Sequence, residues 1–128
     1  TRFCLICTFL CAICSTNAQS LRTADSLLAG GQYLAARVAY ERVLFAPNSP
    51  EAAFKAAFGK AQCLKQQGRY ALAVTFLNEQ LQASLPDSLT LRLRQEQVLC
   101  AYLAGQFEQT LSLLDRLPYL HPDAPVPP

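Results

Sequence analysis

Chemistry needs side chains with partners, and this 128-residue chain offers few. Its single histidine, His121, stands in a proline-bounded tail and cannot build a metal cluster alone. Cys4, Cys7, Cys11 and Cys14 crowd one apolar stretch, and the other two cysteines, Cys63 and Cys100, lie too far apart for ligand spacing. No glycine-rich phosphate loop follows a strand pattern, and no Ser, Cys or Lys has a base partner set. Glu41, Glu79, Glu96 and Glu108 sit among polar neighbours in helical stretches, where carboxylates are usually solvated. The expectation is a protein that is not an enzyme and carries no metal and no cofactor.

The elements that position the remaining residues follow from composition and spacing. Hydrophobic residues make up 52% and charged residues 16%, enough apolar surface for one compact module. A net charge of +2, scattered along the chain, argues against a nucleic-acid partner. Phe3 to Cys14 is an apolar run with one Thr, preceded by Arg2 and followed by Ser15, Thr16, Asn17 and Ala18. A membrane span needs about 20 apolar residues, whereas a signal-peptide core needs roughly 7–15. Residues 1–18 therefore read as a signal peptide cleaved after Ala18, placing the protein in the periplasm or cell envelope, with the membrane involved only through export. Ile13 before Cys14 and Leu10 before Cys11 argue against a lipid anchor. The chain opens on Thr1 and closes on Pro127-Pro128, which predicts that it is a piece of a longer reading frame.

Residues 19–117 carry an internal repeat. Gly31-Gln32-Tyr33, Gly68-Arg69-Tyr70 and Gly105-Gln106-Phe107 recur every 37 residues. Other columns keep the period: Ala24, Ala61 and Val98; Ser26, Cys63 and Cys100; Leu27, Leu64 and Ala101; Ala36, Ala73 and Thr110; Tyr40, Leu77 and Leu114. Apolar residues step by three and four on both sides of each glycine, as in Phe54, Ala57, Phe58, Ala61 and Leu64, then Tyr70, Ala73, Val74, Leu77 and Leu81. Each unit, near 19–47, 50–84 and 87–117, is thus a helix, a glycine turn and a second helix. The glycine suits the left-handed residue that closes the first helix. Pro47 and Pro86 end units, and Ser49, or Asp87 and Ser88, can start the next. Residues 118–128 read as a proline-rich linker or the start of a further repeat. Cys63 and Cys100 hold equivalent positions of neighbouring units; stacked helices lie about 8–10 Å apart, too far for a disulfide, so two buried thiols are expected.

This pattern resembles the tetratricopeptide repeat family, whose roughly 34-residue unit has a small residue, a turn glycine with an aromatic two later, an alanine and an exit proline. Ala61, Gly68, Tyr70, Ala73 and Pro86 take those roles in the central unit, and Ala24, Gly31, Tyr33, Ala36 and Pro47 in the first. The third unit departs at Val98 and Thr110. The resemblance implies an all-α fold of about three repeats stacked as a right-handed α-solenoid. A leader ending Asn17-Ala18-Gln19 also resembles those of exported bacterial proteins.

By resemblance, the first helix of each unit lines a concave face along which partner peptides lie. The columns place Lys55, Phe58, Gln62, Lys65 and Gln66, with Arg92, Gln95, Leu99 and Tyr102, on that face. The aromatic and aliphatic members would anchor a peptide or protein partner, and the cations would favour an acidic or carboxylate-ended one. Leu21, Phe58 and Gln95 occupy the column that in one subclass clamps a terminal carboxylate, so that activity is not implied. The stretch Phe107 to Leu117 is apolar on more than one side, which predicts a further repeat or self-association covering it. The expected function is a non-catalytic protein-protein interaction scaffold of the cell envelope. The alternative is the recruiting or regulatory helical segment of a larger enzyme or assembly factor.

Overall fold

A computed structural model describes residues 17–83 and 85–117. Among them the fold is all-α: a helix over residues 17–29 (α1), then α2 (Tyr33–Phe45), α3 (Pro50–Gln66), α4 (Tyr70–Gln80), α5 (Asp87–Leu103) and α6 (Phe107–Leu114). The chain divides into two compact units after Gly68. Residues 1–16, most of the expected signal peptide 1–18, and residues 118–128, the expected proline-rich linker with His121, lie outside the described residues.

The 37-residue period is written into the backbone. Gly31, Gly68 and Gly105 adopt φ of 78°, 74° and 77°, the left-handed region where a Cβ is disfavoured. At the first turn the Gly31 N–H donates to the Leu28 carbonyl and the Gln32 N–H to Leu27, the paired bonds of a Schellman cap. At the third, Gly105 and Gln106 donate to Tyr102 and Ala101 in the same pattern, and at the second Gly68 donates to Lys65. The residue after each glycine starts the next helix: carbonyls of Gln32, Arg69 and Gln106 accept from the N–H groups of Ala36, Ala73 and Thr110.

The starts of α3 and α5 differ. Ser49 caps α3 as expected: its Oγ accepts from the Ala52 N–H at 3.1 Å, with Pro50 at the first helical position. At α5 neither Asp87 nor Ser88 caps by its side chain; Pro86 is the N-cap residue, and its carbonyl accepts from Leu89 and Thr90. Ala46, before Pro47, closes α2, and α6 stops at Leu114, three residues short of its apolar stretch.

In the first unit Ala24, Ala36, Tyr40, Val43, Ala52, Ala56 and Cys63 form one buried cluster, with Leu21, Leu27 and Leu28 packed against it. Tyr40 of α2 packs closely on Gly59 of α3. A Cβ on Gly59 would lie 2.6 Å from Tyr40 Cε2 and nearer still to Cζ, so only glycine lets the ring lie there. The Tyr40 hydroxyl donates to Asp25 of α1. Asn17 is buried, and its Nδ2 donates to the Ala46 carbonyl at 3.1 Å, tying the start of the described α1 to the end of α2. In the second unit α5 contacts both α4 and α6, and Ala73, Val74, Phe76, Leu77, Leu93, Cys100 and Ala101 are buried.

One repeat column is buried throughout, Ala36 with Ala73 and Thr110, and others match in part, as Ala24 with Ala61 and Cys63 with Cys100, while Ser26 and Leu114 are exposed. Neither Cys63 nor Cys100 is in a disulfide and both are buried, as expected. Glu96 corrects the expectation of a solvated carboxylate. It is buried because it falls on the same stripe of α5 as Leu93, Cys100 and Ala101.

Candidate functional site

The nine residues placed on the binding surface by family column fall on two helices of different units. On α3, Lys55, Phe58, Gln62 and Lys65 or Gln66 recur at helical spacing and make one stripe. Lys55 and Gln66 are exposed, while Phe58, Gln62 and Lys65 are half-buried. Phe58 is stacked on Phe54 with ring centroids 5.8 Å apart, so it is partly a packing residue. On α5, Arg92, Gln95, Leu99 and Tyr102 form the corresponding stripe and all four are exposed. Leu99 is 42% and Tyr102 59% exposed, and Tyr102 meets Phe107 edge-on at 5.9 Å.

Electrostatics around the α2–α3 contact are structural in character. Glu41 lies 3.3 Å from Lys60 and 3.9 Å from Arg37, and the Arg37 Nη1 donates to Gln67 Oε1 at 3.5 Å. Such partly solvated pairs contribute about 0–1 kcal/mol each. Burial pushes the Tyr40 phenol well above its usual range, helped by its hydrogen bond to Asp25. Burial also raises the Cys63 thiol, against the opposing pull of the Arg37 charge. A thiol held protonated in an apolar setting is a poor nucleophile. Among the described residues no group of three or more His, Cys, Asp or Glu side chains could hold a metal ion. No helix among them is long and apolar enough to cross a membrane.

Sequence reading missed a second feature, a polar cleft within the second unit. Asn78 of α4 and Gln82 just beyond it, Arg94 and Gln97 of α5, and Arg116 just beyond α6 line a cavity of about 140 Å³. A neighbouring cavity of about 270 Å³ shares Asn78, Gln97 and Arg116 and continues to Gln106, Gln109 and Thr75. Its signal was present as a second periodicity: Ala71, Thr75 and Asn78 follow one face of α4, with Gln82 continuing the spacing just beyond it, and Gln106, Gln109, Leu113 and Arg116 follow one face across α6. Polar spacing of this kind reads as ordinary solvated helix until a third helix faces it.

The expected apolar face of the last helix is present as an exposed stripe of Phe107, Leu111 and Leu114. The chain matches no protein-family model, no curated protein and no solved structure.

Proposed function

We propose that the protein is a non-catalytic interaction scaffold built from tetratricopeptide-like repeats stacked as a right-handed α-solenoid. It is exported to the cell envelope and takes a peptide or protein partner along the first helices of its units. The observation that carries this reading is the α5 stripe, where Leu99 and Tyr102 stand in water between Arg92, Gln95 and Phe107. Exposed aromatic and aliphatic groups flanked by a cation and an amide have the makeup of a binding hot spot. The three equivalent glycine turns support the repeat architecture, since a single turn geometry at a constant period is what stacked units require. The α3 stripe, with Lys55, Phe58, Gln62, Lys65 and Gln66, is the counterpart of the α5 stripe in the first unit.

The test is affinity capture from the native envelope fraction, using the full-length protein beside a Phe58→Ala, Lys65→Ala, Tyr102→Ala variant. Loss of a partner at unchanged helical circular dichroism supports the reading. Recovery of the same partners by both proteins refutes a role for these stripes. The mass of the captured protein also reads its processing: Gln19 is expected at the N-terminus, and the Asn17–Ala46 hydrogen bond is then absent from the mature protein.

A further inference from the structure

The cleft of the second unit lies on a different side of α5 from the Arg92–Tyr102 stripe, because Arg94 and Gln97 are rotated away from Arg92, Gln95 and Leu99 by more than a quarter turn of the helix. Its chemistry is one-sided. The two charged residues lining it, Arg94 and Arg116, are both cations, and neither has an ion pair among the described residues. The other polar lining is mostly carboxamide: Asn78, Gln82, Gln97, Gln106 and Gln109. Gln97 lines both cavities while only 3% exposed, and the Gln106 Oε1 is buried with no hydrogen-bond partner. A buried acceptor without a donor is costly, so a group from outside the fold that supplies an N–H lowers the energy of this site.

We propose that this cleft binds an acidic peptide segment in extended conformation. Arginine guanidinium groups donate to carboxylates and accept nothing, so Arg94 and Arg116 select acidic side chains. Carboxamides both donate and accept, so Asn78, Gln97 and Gln106 suit a peptide backbone, whose N–H and C=O alternate along the chain. A simple anion satisfies the arginines but brings no donor to Gln106 Oε1. Whole ligands occupy pockets of roughly 300–1,000 Å³. Cavities of about 140 and 270 Å³ instead take successive side chains of a segment lying across them. This site is independent of the α5 stripe assigned above to the partner.

The experiment is fluorescence anisotropy of the full chain with a labelled decapeptide of alternating Glu and Gly, its Gln-Gly analogue, and inorganic phosphate as competitor. The Glu peptide binds, and the Gln analogue binds at least about tenfold more weakly, as loss of charge-assisted hydrogen bonds requires. Arg94→Gln with Arg116→Gln weakens the Glu peptide by a similar factor, while Arg42→Gln, at an exposed cation of α2 outside both sites, leaves it within about twofold. In the unaltered protein the Gln97 and Gln106 side-chain amide resonances shift on adding the peptide, a readout that survives even where a variant folds poorly. Equal binding of both peptides, displacement by phosphate at the peptide's own concentration, an equal loss from Arg42→Gln alone, or unmoved Gln97 and Gln106 amides each overturns the assignment.

Discussion

Replacing Gly59 with alanine should destabilise the first unit, although the same change in an exposed helix stabilises. Gly59 lies inside α3, where alanine is preferred over glycine by about 0.5–1 kcal/mol. Against this stands the Tyr40 ring. Carbon atoms in contact sit about 3.5–4.0 Å apart, whereas the new Cβ would be 2.6 Å from Cε2. The overlap is therefore roughly 1 Å or more by that comparison. The ring has little room to withdraw, being 1% exposed and held at its far end by the bond to Asp25. Overpacking of a core costs about 1–3 kcal/mol, and a rigid ring pinned at both ends belongs at the upper end. Subtracting the helix-propensity gain leaves a net loss of about 2 kcal/mol. For a domain of this size that is a fall in midpoint of roughly 8–16 °C in thermal unfolding. Adding Tyr40→Leu to Gly59→Ala should cost less than the two single changes together, because the clash disappears with the ring. A Gly59→Ala protein as stable as its parent, or more stable, would refute the close approach of α2 and α3.

Two further outcomes follow from particular bonds. Alanine at Gly31, Gly68 or Gly105 forces a side chain into the left-handed region, and each change should cost about 1–2 kcal/mol in urea unfolding; a neutral substitution at any of the three would contradict the equivalence of the turns. Tyr40→Phe removes the bond to Asp25 and should cost about 1.5 kcal/mol near neutral pH, by the lower end of the range for bonds to charged groups. Because burial raises the folded-state pKa of Tyr40 above the unfolded value near 10, the folded chain keeps a proton that the unfolded chain releases. This contribution is complete below about pH 10 and is lost as pH rises from there toward the folded pKa. The stability gap between parent and Tyr40→Phe should therefore narrow above pH 10, and a gap that stays constant or widens in alkaline denaturation curves would reverse the sign.

The helices and turns were legible because their causes are local. A glycine three or four residues past an apolar stripe, followed by an aromatic, dictates a left-handed cap and a new helix whatever packs outside, which is why Gly31, Gly68 and Gly105 were readable and adopt one geometry. The start of α3 was equally plain, since Ser49-Pro50 satisfies its first turn within three residues. The start of α5 was not, because at Asp87 and Ser88 the local options are several and the backbone carbonyl of Pro86 serves instead.

The stripes on α3 and α5 expected to bind a partner were named by column, and their spacing alone ensured that each set shares one helix face. How much of each side chain water reaches is a tertiary matter: Phe58 is half-covered beside Phe54, while Tyr102 stays exposed. The polar cleft escaped notice because its residues belong to α4, α5 and the end of α6, and no periodicity within one helix says which polar face another helix will meet.

Sequence by itself determined that this chain is helical, where its helices turn and at what period, since caps, breakers and apolar spacing act over fewer than five residues. Only the tertiary structure decided that Gly59 must remain without a side chain, that Glu96 is buried, that Tyr40 reaches Asp25 and that Arg94 and Arg116 share a cleft. These depend on contacts between residues far apart in the chain, where packing volume and desolvation, rather than local propensity, set the energy.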